Sequence, residues 1–500
     1  MRLGHSKAGR AGRAGRASGA GKAGDPRRRR LQPARLYVLA FAVAAASLVS
    51  AQAPAVSGVD WDKLRPEILQ HYRALIQIDS TAGNETKVAD YLRKVLEAEG
   101  ISAKTYAQDP ARANLVARLK GYGSKRPLLI LAHTDVVGVQ REKWPVDPFG
   151  AVIKDGYVWG RGSKDDKPVL TANLMTMLLL KRLGTQLDRD VIFLAESGEE
   201  ADPYGVGINY MVREHFAEID AEFAITEGGG ARIDGGRVTR VSIGTAEKLP
   251  ARVRLVAHGT AGHGSVPRLD NALIHLAAAV EKVGRWETSM RLNETTRAYF
   301  EKMAATSPPE RASVYKALLD PKTAGEAQKF LREHSPVEYS MLRTSVVPTM
   351  LKAGVGANVI PSEAEATVDI RALPDENIDT FYAEMAKVIA DPAVTIERVP
   401  QTRPPSPASR LDTEMFRIME RAAGKVYAGA TVIPSMSTGA SDMAQLRAKG
   451  IQSYGVGPAS TDADEINYPA HGDVERLAES SLYPFVQYVW TITADIAAKK

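Results

Sequence analysis

The chain has 500 residues, no cysteine, 44% apolar residues and 25% charged residues. This length and composition exclude a wholly disordered chain and predict about two to four domains with a large core. The lack of cysteine excludes a thiol nucleophile, a disulfide framework and a cysteine-ligated zinc or iron–sulfur site. A metal site in this protein would need histidine, aspartate and glutamate ligands.

The formal charge of +6 comes from the first 35 residues. They contain 11 of the 65 basic residues and one of the 59 acidic residues, so the rest of the chain has 54 basic and 58 acidic residues and a net charge of −4. A nucleic-acid-binding protein needs a basic face on its folded part. The mildly acidic body therefore predicts no nucleic-acid partner.

The N-terminus, residues 1–51, has the pattern of a secretory signal peptide. An arginine-rich segment precedes an apolar run of 14 residues, LYVLAFAVAAASLV, and small residues follow around Ala51. The run is shorter than the ~20 residues that span a membrane. We expect cleavage after Ala51, a periplasmic or secreted mature protein and no stable membrane span. The alternative is an uncleaved N-terminal anchor.

Helices and short apolar runs alternate from Asp60 onward. We predict helices over residues 61–77, 86–99 and 169–183, and strands over residues 114–119, 127–132, 190–195 and 221–226. Strands that alternate with helices predict an α/β sheet that is largely parallel in its core.

The middle of the chain has a different pattern. Strands are predicted over residues 251–258, 345–353, 363–372 and 394–399, and helices over residues 271–283 and 378–390. Their order is strand–helix–strand–strand–helix–strand, the split βαβ arrangement, interrupted by a charged helical insertion over residues 291–343. We therefore predict a catalytic domain in two parts, residues 52–247 and 400–500, with a second domain, residues 248–399, inserted between them.

Polar residues follow three of the predicted strands directly. Residues 127–132 lead into His133 and Asp135, residues 190–195 into the Glu196–Glu200 stretch, and residues 221–226 into Glu227. A fourth polar loop, GRGSKDDK at residues 160–167, leads into a buried helix. Taken singly, these are ordinary hydrogen-bonded pairs or solvated faces. Ligands of open α/β sheets bind at the carboxyl ends of the strands, however, and clustered carboxylates there need a cation, such as zinc or a related divalent ion.

Several motifs in the same order resemble a known family. They are the stretch AHTDVVGVQREKWPVDPFGAVIKDGYVWGRGSKDDK at residues 132–167, followed by SGEEADPYG, AGHGSVPR, GANVIPSEAEATVDIRALP and STGASD. They resemble the di-zinc aminoacylase/carboxypeptidase metallopeptidases, which include carboxypeptidase G, carboxypeptidase S, acetylornithine deacetylase and succinyl-diaminopimelate desuccinylase. The resemblance covers almost the whole mature chain. It implies an α/β zinc-hydrolase catalytic domain with an inserted split-βαβ (ferredoxin-like) lid that also serves in dimerisation.

The resemblance also implies a metal centre of two divalent ions, zinc by preference and cobalt or manganese as alternatives. Asp165 would bridge the two ions. The other ligands it implies are His133, Glu200, Glu227 and His471. Glu199 would act as general base, taking a proton from the attacking water and returning it to the leaving amine. Asp135 would hold His133 in its tautomer and raise its basicity.

The lid residues implied by the resemblance bind the substrate. His263 would donate a hydrogen bond to the tetrahedral oxyanion, commonly from the partner subunit of a homodimer. The alternative is that His263 has only a structural role, as a histidine in a glycine-rich turn. Asn358 and Arg371 would bind the oxyanion or a substrate carboxylate, and Gly439, in STGASD, is a further candidate substrate-binding residue.

We therefore expect an exported amidohydrolase or exopeptidase that cleaves small peptides or N-acyl amino acids. Carboxypeptidase, dipeptidase and deacylase activities all stay open. One alternative is a zinc aminopeptidase without a lid, which the split βαβ insertion disfavours. Another alternative is a catalytically degenerate member of the family that serves as a binding protein. The presence of all the candidate ligands and of the candidate base disfavours it.

Overall fold

A computed structural model describes residues 58–200 and 205–499. The predicted signal peptide, residues 1–51, lies outside the described residues. Among the helices that are described, none has both the length and the apolar character needed to cross a membrane.

The first part of the chain forms most of a large sheet and the helices that cover it. Its helices are α1 Trp61–Gln77, α2 Thr86–Ala98, α3 Lys167–Arg182, α4 Ile208–Glu214 and α5 Phe216–Ile219. Its strands are β1 Ala103–Tyr106, β2 Asn114–Leu119, β3 Leu128–His133, β4 Val152–Lys154, β5 Tyr157–Trp159, β6 Val191–Glu196, β7 Phe223–Thr226, β8 Gly230–Asp234 and β9 Arg237–Glu247.

The middle part contains a second sheet and a group of helices. Its strands are β10 Leu249–Pro250, β11 Val253–His258, β12 Gly262–His263, β13 Ser345–Ala353, β14 Val359–Ile360, β15 Glu363–Ala372 and β16 Val394–Arg398. Its helices are α6 Ala272–Arg285, α7 Glu294–Thr306, α8 Pro309–Leu318, α9 Ala324–His334, α10 Pro336–Ser340 and α11 Ile378–Ile389.

The last part returns to the large sheet. It consists of α12 Glu414–Val426, β17 Thr431–Ser437, α13 Met443–Ala448, β18 Gln452–Gly455, β19 Ala459–Ser460, α14 Asp462–Asn467, β20 Arg476–Ala478 and α15 Glu479–Ala497.

The large sheet has the order β1-β2-β6-β3-β7-β18-β9-β8-β19, with β17 also paired to β9. The central strands β6, β3, β7 and β18 are mutually parallel, which confirms the prediction of a largely parallel core. Side chains alternate between its faces. Leu128 and Ile130 belong to the buried cluster that contains residues of α1, α3 and α15, whereas Leu129 and Leu131 belong to the cluster that contains residues of α4 and α13. Both faces are covered, as a parallel sheet requires.

The second sheet has five antiparallel strands: β13, β15, β11 and β16 lie side by side, and β10 also pairs with β15. Helices α6 and α11 pack on it through Leu276, Val283, Phe381 and Met385. This is the split βαβ arrangement that the sequence predicts, and a lid-less enzyme would lack it. The domain bounds given above remain a prediction.

The predicted helical insertion forms α7 to α10. Phe300 and Leu331 of these helices share a buried cluster with Ile433 and Met436 of β17, so the insertion packs against the large sheet. Inside it, the carboxylate of Glu338 accepts hydrogen bonds from the hydroxyl of Tyr299, at 2.9 Å, and from that of Tyr315, at 2.8 Å. The insertion thus has an internal hydrogen-bond network and packs against β17 of the large sheet.

Candidate metal centre

Three neighbouring parallel strands bring the predicted ligands to one edge of the large sheet. His133 is the last residue of β3, Glu199 and Glu200 follow β6, and Glu227 follows β7 directly. Because β6, β3 and β7 lie side by side in the same direction, their carboxyl ends meet there. The structure therefore brings together the residues that the strand-end pattern singled out.

Asp165 lies between two histidines. Its Oδ1 is 2.9 Å from Nε2 of His133, and its Oδ2 is 3.2 Å from Nε2 of His471. Asp165 comes from the loop between β5 and α3, and His471 from the loop between α14 and β20. His471 has a φ of 62°, in the left-handed region that a non-glycine residue rarely adopts, a form of strain that is concentrated at functional sites.

The donor atoms of these side chains form three overlapping groups in which all atoms lie within 4.8 Å of one another. The groups are His133, Asp165 and Glu227; His133, Glu199 and Glu200; and Asp165, Glu200 and His471. Two of them share Asp165, with one histidine on each side. Imidazole and carboxylate ligands without thiols suit zinc, cobalt or manganese, so the donor set fits a divalent-metal site.

The carboxylate of Asp135 fixes the loop that follows β6. Its Oδ1 accepts hydrogen bonds from the backbone N–H of Gly198, at 3.0 Å, and of Glu199, at 3.2 Å, and its Oδ2 accepts one from Glu200 at 3.0 Å. The backbone oxygen of Asp135 lies 3.1 Å from Nδ1 of His133. A proton on Nδ1 leaves Nε2 of His133 with the lone pair that a metal needs.

Burial and the clustered charges raise the pKa of three groups at this centre. Burial, and then the charge of Asp442, raises the pKa of Glu199 to about 8. Burial, and then the charges of Asp165 and Glu199, raises the pKa of Glu227. Hydrogen bonds to Asp165 and Glu200 raise the pKa of His471 to about 10. When no cation is bound, protons on these groups would partly offset the repulsion among the carboxylates.

Glu475, which the sequence analysis did not single out, holds the loop that carries Asp165. Its buried carboxylate accepts hydrogen bonds from the backbone N–H of Gly162, at 3.1 Å, of Lys164, at 2.5 Å, and of Asp165, at 3.2 Å. The guanidinium of Arg161 pairs with the same carboxylate at 2.8 Å. No local sequence pattern predicts this role, because Glu475 lies 310 residues from Asp165.

Arg403 is a second residue that the sequence analysis missed. Its Nη2 pairs with Oε1 of Glu199, and its Nε donates a hydrogen bond to the backbone oxygen of Ser441 at 3.2 Å. Arg403 lies in the proline-rich stretch, residues 400–407, that follows the second sheet. This stretch, which has neither helix nor strand, thus contacts the candidate base.

The candidate lid residues are placed on or beside the second sheet. His263 lies on β12 with an exposed side chain, and its Nδ1 is 2.7 Å from the hydroxyl of Ser265. The backbone oxygen of Asn358 accepts a hydrogen bond from the N–H of Gly264 at 2.7 Å, and Arg371 pairs with Asp369 at 2.8 Å. His263 is not in any of the metal-binding groups found within residues 58–200 and 205–499.

Gly439 lies in the loop between β17 of the large sheet and α13. Its N–H donates to the hydroxyl of Ser437 at 3.0 Å. The substrate-binding roles of Gly439 and of the three lid residues stay predictions.

The chain is similar to known hydrolases along most of its length. The model of peptidase family M20/M25/M40 matches residues 129–493. The N-fatty-acyl-amino acid synthase/hydrolase PM20D1 of Xenopus tropicalis is 24% identical over 447 residues, which cover 85% of this chain and 85% of that protein.

Two solved structures have a similar fold. The M20 family metallo-carboxypeptidase Sso-CP2 from Sulfolobus solfataricus superposes with a TM-score of 0.64 at 21% identity, over 85% of this chain and 98% of its own. A dinuclear metal-binding peptidase of the M20 family from Bacillus subtilis superposes with a TM-score of 0.57 at 15% identity, over 87% of this chain and 99% of its own.

Proposed function

Because the chain belongs to peptidase family M20/M25/M40, we propose that it is an exported amidohydrolase that cleaves small peptides or N-acyl amino acids with two divalent ions. The observation that carries the proposal is the placement of Asp165. Each of its carboxylate oxygens faces a different histidine, so two adjacent sites share one carboxylate. The similarity to an N-fatty-acyl-amino acid hydrolase and to a carboxypeptidase supports the substrate class.

The residues that would hold the two ions form two sets around Asp165. His133 and Glu227 lie on one side, and Glu200 and His471 lie on the other. Bound there, divalent ions would lower the pKa of a water and polarise the amide carbonyl. Zinc suits the ligands best, and cobalt or manganese are alternatives.

Glu199 is the proton carrier in this mechanism. Its carboxylate takes a proton as the water oxygen forms a bond to the amide carbon, and it returns that proton to the nitrogen as the C–N bond breaks. Burial, and then the charge of Asp442, raises the pKa of Glu199 to about 8 when no cation is bound. Bound cations would lower this pKa towards the neutral range, in which a carboxylate can both take and return a proton. The products are a carboxylic acid and an amine.

The test compares Glu199→Ala with its neighbour Glu200→Ala in the metal-loaded protein. Glu199→Ala should lower turnover by about 10²–10⁴-fold, the contribution of a general base, and leave metal content nearly unchanged. Glu200→Ala should lose metal. The measurements are hydrolysis of a panel of dipeptides and N-acyl amino acids and elemental analysis. Two variants that both retain two metals and normal rates would contradict the assignment.

Export and assembly are also part of the proposal. Residues 1–51 would direct secretion, so a mature protein that begins near Gln52 should be recovered outside the cytoplasm. N-terminal sequencing of the native product checks this, and an intact arginine-rich leader on a cytoplasmic product would contradict it.

A homodimer would form through the second sheet. Strand β13 lies at its edge and exposes Val347, Met350 and Leu351, residues that are 51%, 68% and 67% exposed. An exposed apolar edge strand is a ready surface for a second copy. Sedimentation of the active enzyme as a monomer would contradict this part of the proposal.

A further inference from the structure

A cleft of about 510 Å³ opens directly beside the candidate metal centre. Asp165 and Glu227 form its inner end, and its volume is in the range of small-molecule sites, about 300–1,000 Å³. The part of the chain that the structure describes contributes none of the candidate lid residues His263, Asn358 and Arg371 to its lining. If the candidate lid residues bind the amino acid that leaves, then the acyl group of the substrate would bind in this cleft.

The floor of the cleft is the β8–β9 hairpin. Its strand β8 starts three residues after Glu227, and a Cβ on Gly229 would lie 2.3 Å from the backbone oxygen of Gly455, so only glycine fits where this strand passes β18. Gly230 is paired with Ser242, and Arg232 with Arg240. At about 3.3 Å per residue, Arg232 lies at most about 17 Å along the chain from Glu227.

The two arginines differ in their partners. Arg232 contacts Asp462 and lies 3.8 Å from Asp234. Among residues 58–200 and 205–499, no carboxylate forms an ion pair with Arg240, whose Nη1 instead lies 3.3 Å from the sulfur of Met303. Like charges directly opposite each other on paired strands are unfavourable, so an anion beside Arg240 would stabilise this pair.

The outer wall of the cleft is apolar and comes from the helical insertion. Val337 of α10 is 64% exposed, and Met341 follows the same helix. Met436 of β17 completes this wall. The lining of the cleft therefore combines the carboxylates of the candidate metal centre, an apolar patch, polar groups such as the Lys164–Glu465 ion pair, and an arginine, Arg240, without an acidic partner among the described residues.

We infer that this cleft binds an acyl group that is apolar along its length and ends in a carboxylate, which the guanidinium of Arg240 receives. The inference rests on the proposed function, because it assigns the acyl half of the same substrate. A guanidinium presents a planar fork that matches a carboxylate bidentately. The helical insertion would thus select the substrate through the wall it adds beside the metal centre.

The test uses pairs of N-acylphenylalanines that have the same acyl length. Glutaryl, adipoyl and suberoyl amides are compared with pentanoyl, hexanoyl and octanoyl amides in the metal-loaded enzyme. The wild type should prefer the carboxylate-bearing member of at least one pair by about tenfold or more in kcat/KM, as expected for a charge-assisted hydrogen bond. Arg240→Leu should remove that preference through KM, with kcat and the neutral amides little changed.

Two further variants separate the site from general effects. Arg237→Leu removes an exposed charge from the same strand outside the cleft and should leave the preference intact. Val337→Trp adds bulk to the outer wall and should raise KM for the longer acyl groups of both kinds, but not for an acetyl group. A wild type that favours the neutral members of every pair, or an Arg240→Leu variant that keeps the preference, would overturn the inference while the proposed function stands.

Equilibrium binding distinguishes failure of the inference from failure of the proposed function. Adipoyl-phenylalanine binding to metal-loaded Glu199→Ala is measured by calorimetry, with and without Arg240→Leu. Binding that weakens about tenfold or more with Arg240→Leu supports the site even if no amide is hydrolysed, an outcome in which only the proposed function fails. Binding that does not depend on Arg240 overturns the inference.

Discussion

The carboxylate of Asp135 accepts a hydrogen bond from the backbone N–H of Glu200, with Oδ2 and N separated by 3.0 Å. The same carboxylate also accepts from the two preceding residues. One buried side chain thereby sets the position of both the candidate base, Glu199, and the candidate ligand, Glu200. Asp135 acts on the site through the backbone as well as through His133.

Asp135→Asn is expected to lower metal affinity or activity by about 10–100-fold, the usual effect of losing such a supporting contact. The substitution keeps the size of the side chain but replaces one acceptor oxygen with an NH₂ group, which cannot accept from a backbone N–H. Metal titration and steady-state kinetics measure the effect. Asp79→Asn, on a partly buried loop carboxylate outside the metal-binding groups, is the control. Equal effects of the two variants would contradict the role of Asp135.

Metal uptake should release protons and become tighter as the pH rises. Hydrogen bonds to Asp165 and Glu200 raise the pKa of His471 to about 10 in the metal-free protein, so at pH 7 the imidazole carries a proton that a metal must displace. Each displaced proton makes the affinity change by about tenfold per pH unit. Calorimetry of zinc binding in two buffers with different ionisation enthalpies counts the protons. The His471→Ala variant should release fewer protons than the wild type. An unchanged number would show that the metal displaces no proton from His471.

The strand-end residues were predictable because the relevant information is local. His133, Glu199 and Glu227 each follow an apolar run, and parallel strands bring such ends together. His471 follows no apolar run of this kind and was identified only through the family resemblance. Arg403 and Glu475 were not predictable, since they lie 204 and 310 residues from their partners Glu199 and Asp165. Their roles depend on the packing of distant segments, which leaves no periodic pattern in the sequence.

The helical insertion shows the same limit at a larger scale. Residues 291–343 were predicted to be helical from their pattern, and helices α7 to α10 confirm this. Their position against β17 depends on buried contacts of Phe300 and Leu331 with Ile433 and Met436. The sequence pattern of an amphipathic helix predicts which face is apolar, but it does not predict which surface of the protein packs against that face. The contribution of Val337 to the cleft therefore becomes visible only in the structure.

Lys248 should make stability depend on pH in the alkaline range. It lies between β9 and β10, and its Nζ donates to the backbone oxygen of Ser340 at 3.0 Å and to the hydroxyl of Ser345 at 3.0 Å. Burial, and then the charge of Arg371, lowers the pKa of Lys248 from 10.5 to about 7. Between these values the unfolded chain binds more protons than the folded one, so the free energy of unfolding rises with pH from about 7 to 10.5.

Lys248→Met removes this contribution. The stability advantage of the wild type over the variant should grow between pH 7 and pH 10, by at most about 1.4 kcal/mol per pH unit. Urea unfolding at several pH values measures it, with Lys352→Met, on an exposed lysine of β13, as the control. An advantage that is constant over this range would show that Lys248 remains charged in the folded protein.

The last prediction is that His263 acts across a dimer interface. His263 lies on β12, which pairs with β14 in a separate two-stranded sheet, and its side chain is exposed. The candidate metal ligands lie at the edge of the large sheet. An isologous two-fold interface would offer the histidine of each subunit to the site of the other. His263→Ala should lower the rate by about 10²–10³-fold, as expected for a lost oxyanion donor, with little change in metal content.

Mixing inactive His263→Ala with inactive Glu199→Ala subunits tests the direction of this contribution. In a heterodimer, the site with an intact Glu199 would receive His263 from the other chain, so activity should return. One site per heterodimer would work, and an equal mixture that exchanges freely should reach about a quarter of the wild-type rate. Each variant mixed with itself is the control. If heterodimers form, as shown by a tag on one variant, and activity stays absent, then His263 acts within its own chain or only stabilises the turn with Ser265.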